Sequence, residues 1–136
     1  MSDESNLYEI TKMDNGLIFY TRYMGPLSLE VLFRSSYERT SDPDYKNAVF
    51  IIIDVLDSDN TGFSPDDART MATRVKEVLL ERPQMVVIII ANDDMSYGLS
   101  RIWRGVTRPA SRDVHVVFSK ADAFRIVEEM RAQRKI

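Results

Sequence analysis

The chain has 136 residues, 44% of them hydrophobic and 29% charged, which suits one compact domain with a sizeable core and leaves no room for a second. With no cysteine and a single histidine, it excludes a disulfide framework, a thiolate metal site and a zinc site built mainly from imidazoles. A formal charge of −3 removes the overall basic field that nonspecific nucleic-acid binding needs, so no nucleic-acid partner is expected. Residues 1–6 are polar and acidic, expected as a disordered N-terminus, and the opening lacks the basic end and apolar stretch of a signal peptide. No apolar run approaches membrane-spanning length, and a cytoplasmic location is the expectation.

"LYEITKM" and "LIFYTRYM" read as strands joined at Asn15-Gly16, a pair that accepts the positive φ angles of a tight hairpin. After Pro26, the apolar residues Leu29, Leu32, Phe33 and Tyr37 recur at helical spacing behind Ser28 as cap, and Pro43 forbids continuation. "AVFIIIDV" is continuously apolar and β-branched, the pattern of a strand covered on both faces, and Asp54 is expected at its end. "SPDD" then supplies a cap at Ser64, proline at the first helical position and acids in the first turn. Ala68, Met71, Ala72, Val75, Val78 and Leu79 line one face of the helix that follows, up to Arg82-Pro83. "QMVVIIIA" repeats the buried-strand pattern, and the next helix turns Leu99, Ile102, Trp103 and Val106 inward. "VHVVF" is a last strand, and Ala123, Ile126, Val127 and Met130 line a closing helix. The order is β-β-α-β-α-β-α-β-α: an α/β fold with a mixed five-stranded sheet, an N-terminal β-hairpin and one domain over residues 7–136.

The acid-rich stretch Asp54–Asp67 invites three chemical readings. Asp57, Asp59, Thr61 and Gly62 match the first half of a calcium loop, but Ser64 and Ala68 stand where an apolar residue and a bidentate glutamate belong. The same letters match the D-x-D-x-T signature of haloacid-dehalogenase phosphatases, with Asp57 as nucleophile, Asp59 as acid and Asp93 and Asp94 as later magnesium ligands, yet the spacing from the strand is wrong. Asp54 with Lys120 resembles a response-regulator receiver, but no acidic pair follows the first strand. A turn accounts for nearly every residue: Asp and Asn bond their own backbone, Gly62 permits a left-handed bend, and Asp66 and Asp67 favour the positive end of the helix. No metal, cofactor or catalytic pair is expected.

"DPDYKNAVFIIIDV", "SPDDARTMA", "VVIIIANDDMSYGLSRIW" and "VHVVFSKADAF", in this element order, resemble small bacterial proteins of the STAS type, the fold of anti-sigma-factor antagonists, distantly similar to CRAL-TRIO lipid-transfer domains. The resemblance covers about residues 7 to 130. It implies a non-enzymatic regulatory domain that binds a protein partner or ligand, and a loop in which a kinase phosphorylates a hydroxyl. Asn60 stands where the family's serine belongs, which leaves Ser58, Thr61 and Ser64 as candidate phosphorylation sites.

Two further features bear on binding. Asp57, Asn60, Asn92, Ser96 and Tyr97 fall at the sheet edge where open α/β folds hold ligands, and form a candidate cleft. Arg101, Arg104 and Arg108 fall on one helical stripe without intervening acids, a candidate surface for an anion or acidic partner. His115 reads as structural. The expectation is a partner-binding module, with a small lipid or apolar-ligand carrier and a phosphohydrolase using Asp57 and Asp59 as alternatives, and a homodimer possible in either binding reading.

Overall fold

A computed structural model describes residues 7–92, 94–108 and 113–136, with side chains except at 94–96. The expected terminal disorder at 1–6 therefore lies outside the described residues. In chain order the elements are β1 (Tyr8–Met13), β2 (Ile18–Pro26), α1 (Leu29–Ser41), a 3-10 turn (Pro43–Asn47), β3 (Phe50–Asp59), α2 (Pro65–Glu81), β4 (Val86–Ile90), α3 (Asp94–Thr107), β5 (Val114–Val117) and α4 (Lys120–Arg134). The sheet runs β1-β2-β3-β4-β5, with β1 antiparallel to β2 and the other pairs parallel. Among the described residues no helix is long and apolar enough to cross a membrane.

Each crossover after β2 steps one strand in the same direction, and crossovers share one hand, so α1, α2 and α3 fall on one face. Strand alternation supplies that face with Ile51, Ile53, Val87 and Ile89, which pack with Val31, Met71, Leu79 and Trp103. Phe50, Ile52, Val86, Ile88 and Ile90 point the other way and are covered by Ala123 and Val127 of α4. Residues 50–53 of β3 and all of β4 read as unbroken apolar runs because both of their faces are buried.

The hairpin loop is longer than a two-residue turn. Met13 pairs with Ile18, and Asp14, Asn15 and Gly16 all take positive φ (53°, 57° and 88°). Gly16 is needed twice over, since a Cβ there would also lie 2.7 Å from the Cβ of Asp44. Ser64 and Asp67 form the expected reciprocal cap of α2.

Three local expectations need correction. Tyr37 is 72% exposed; Leu29, Leu32 and Phe33 do face the core, but Val31, Ser35 and Arg39 complete the buried stripe of α1 in place of Tyr37. Gly62 does not adopt a positive φ, and a Cβ there would meet nothing. Asp54 does not end its strand. Arg22 pairs with Asp54 and Met24 with Asp57, so β3 spends three residues where β2 spends two, a bulge. The Asp54 side chain accepts a hydrogen bond from the Leu56 amide (2.9 Å) within the bulge, and β3 then continues to Asp59 beside Pro26.

Candidate functional site

The C-terminal ends of the parallel strands bring the β3–α2 loop, the start of α3 and the β5–α4 junction to one sheet edge. The residues there are tied together more than they are open. Asn60 Nδ2 donates to Asn92 Oδ1 at 3.4 Å, and Asn92 Nδ2 donates to the carbonyl of Leu56 at 2.9 Å, so two residues of the expected cleft latch the loops to each other. Asp57 takes no part in it: its carboxyl is gripped by Arg22 Nη2 at 2.7 Å and Nε at 2.9 Å. Arg22 and Tyr20 alternate onto the α4 face of β2, and Asp57, beyond the bulge, turns to that same face. Tyr97 instead packs its ring on Phe118, centroids 5.0 Å apart. The side chain of Ser96 lies outside those described, as do Asp93 and the side chain of Asp94.

The three candidate hydroxyls differ in surroundings. Ser58 is buried, with its Oγ donating to the Val55 carbonyl at 3.0 Å and meeting Asn60 Oδ1 at 2.7 Å. Ser64 is exposed, but its Oγ accepts the Asp67 amide that caps α2. Thr61 is exposed and donates to Asp59 Oδ1 at 2.7 Å, and the Thr61 amide donates to the same oxygen. Those two bonds hold the Asp59 carboxyl below its usual range.

Arg101, Arg104 and Arg108 are all exposed along α3. Arg101 lies over the Tyr97 ring at 5.6 Å. Among the described residues no acid pairs with any of the three. Phe118, packed on Tyr97, is 56% exposed, so Arg101 and two aromatic rings adjoin at this edge.

On the α4 face, Asp54 is buried and accepts the Tyr20 hydroxyl as well as the Leu56 amide. Burial and the bond to Asp54 push the Tyr20 phenol far above its ordinary value. The Tyr20 ring stacks on Phe124, with Lys120 over it at 5.2 Å. Lys120 thus sits against the tyrosine ring that caps the acid, and no ion pair joins it to Asp54 among the described residues. His115 is half-buried on β5, its Nε2 enclosed without a hydrogen-bond partner among the described residues and 3.9 Å from Asp113. Burial lowers its pKa, opposed by the Asp113 charge.

Behind the Asn60–Asn92 latch, on the α1–α3 face, lies a cavity of about 60 Å³ lined by Ile53, Phe63, Ala68, Met71, Leu99 and Trp103 among others. Asn60, expected at a ligand cleft, also lines this cavity, but sequence reasoning placed none of the six named residues at one, because each reads as ordinary core. It also missed Arg39, whose position on the buried stripe of α1 has no signal beyond its i+4 spacing from Ser35. Among the described residues no group of three or more His, Asp or Glu comes together as a metal site.

These features define an α/β protein with a mixed sheet and a latched C-terminal edge. No known family model matches the chain, and no curated protein matches it.

Proposed function

We propose that this chain is a non-enzymatic, STAS-like module that binds a protein partner at the C-terminal edge of its sheet. The observation that carries the reading is Arg101, exposed and lying over the Tyr97 ring that packs on Phe118, with Arg104 and Arg108 exposed further along the same helical stripe and none of the three paired with an acid among the described residues. Arginine and aromatic residues together are what the centre of an interface favours, and the uncompensated charge selects an acidic partner. Thr61 is the one candidate hydroxyl of the β3–α2 loop that is exposed without serving as a helix cap, so a regulatory phosphate fits there best.

The competing readings have less support. A leaving-group acid must hold a proton near neutral pH, and Asp59 is pushed the other way, while Asp57 is occupied by Arg22. A lipid chain is too large for a cavity of about 60 Å³, given that about 150 Å³ is the size of an engineered cavity that takes benzene.

The test is recovery of partners from the host with immobilised wild-type protein and with the Arg101→Glu/Arg104→Glu variant. A defined protein held by the wild type, released by salt and lost in an equally stable variant is the expected result. Identical recovery by both would refute the reading.

A further inference from the structure

Arg39 is 95% removed from solvent, at 5% exposure, yet no carboxyl group among the described residues pairs with it. Its guanidinium bonds only through Nη1, to Thr21 Oγ1 at 3.1 Å and the Tyr23 hydroxyl at 3.2 Å. The Tyr23 hydroxyl is shared with Ser35 Oγ at 2.6 Å, so the whole network is neutral apart from the cation. A largely buried charge with neutral partners alone is costly, and Nε and Nη2 bond to no group among the described residues. Arg39 lines a second cavity, of about 30 Å³, and Trp103 lines this cavity too. The Trp103 indole N–H is buried and has no hydrogen-bond partner among the described residues. Two sets of unspent donors therefore border one small space between α1, α2 and α3.

Trp103 and Ile53 also line the larger apolar cavity, so the two spaces meet at the same side chains. One is bordered by a cation and an N–H; the other by Leu32, Phe63, Met71 and Leu99. We propose that together they form a binding site for a short-chain carboxylate, its carboxylate against Arg39 and its alkyl tail among the apolar residues. A carboxylate supplies what the interior lacks: a negative charge and acceptors for Arg39 and the indole N–H. A water needs about 10–15 Å³ of such a space, so the polar space takes a group the size of a carboxylate and the apolar space a tail of a few carbons. This inference does not rest on the partner-binding reading.

Trp103 is the only tryptophan, so its fluorescence reports on the site directly. Wild-type protein titrated with sodium butyrate at constant ionic strength is expected to show a saturable fluorescence change and a rising Tm. Butan-1-ol at the same concentrations is expected to bind much more weakly. Arg39→Met is expected to weaken butyrate by about tenfold or more, the usual consequence of losing charge-assisted hydrogen bonds. Ala68→Leu fills the apolar space while leaving Arg39 and Trp103 in place, and is expected to retain acetate binding and lose the gain from the longer tail. The proposal is overturned if butyrate gives no saturable change, if butan-1-ol binds as tightly, or if the variants bind butyrate as the wild type does. Should Arg39→Met fail to fold, the alcohol comparison and Ala68→Leu decide the matter.

Discussion

Replacing Asp54 by alanine removes the acceptor for two enclosed donors at once, the Tyr20 hydroxyl and the Leu56 amide. Each donor left unsatisfied in the interior costs about 1–3 kcal/mol, so the variant should lose about 2–6 kcal/mol. That is a large part of the ~5–15 kcal/mol that holds a domain of this size together. Asp54→Asn keeps an acceptor for the amide and lets the Tyr20 hydroxyl rotate to accept from the new side-chain N–H, so it should cost about 1–2 kcal/mol. Tyr20→Phe retains the stack on Phe124 and removes one hydroxyl, for a similar loss. Urea unfolding followed by Trp103 fluorescence measures all three, with unchanged m-values as the check that only stability has moved. A cost below about 1 kcal/mol for Asp54→Ala, or equal costs for alanine and asparagine, would show that the bulge does not depend on this acid.

Gly16→Ala should destabilise by more than about 1 kcal/mol in the same assay, because the new Cβ meets both a left-handed backbone and Asp44, 2.7 Å away; wild-type stability in this variant would contradict that account. His115 has a pKa below its ordinary value of 6.5 in the folded chain, so the unfolded chain binds more protons as the pH falls through that region, and stability should fall with it. Thermal midpoints compared between about pH 7.5 and pH 5.5 should drop less in His115→Gln than in the wild type, and an equal drop would assign the effect elsewhere.

Elements with a one-to-one relation between pattern and burial were legible in the sequence. The runs 49–53 and 86–90 lie in a sheet covered on both faces, and only apolar residues serve there. The cap at Ser64 is local chemistry, and it forms as its residue types dictate. What was not legible depended on neighbours. In α1 two overlapping stripes fit helical spacing, and the sheet chose the one carrying Ser35 and Arg39 because Thr21 and Tyr23 stand opposite with polar groups to receive them. The expected cleft residues are brought together only in part: Asn60 meets Asn92, while the extra residue after Asp54 turns Asp57 to the α4 face, where it meets Arg22. A bulge of this kind leaves no mark in composition or periodicity, since Val55 and Leu56 are unremarkable strand residues.

The one-sided arrangement of the crossover helices gives the order of synthesis a physical weight. Once β5 has emerged from the ribosome, the sheet can be complete and its α1–α3 face already closed, while Phe50, Ile52, Val86, Ile88 and Ile90 wait for α4. During that interval a nascent chain carries a broad apolar plane with nothing to cover it but another molecule. Ala123 and Val127 thus serve as the closing seal of the protein during its synthesis, and polar substitutions at these two positions should appear as poor yield and aggregation during expression.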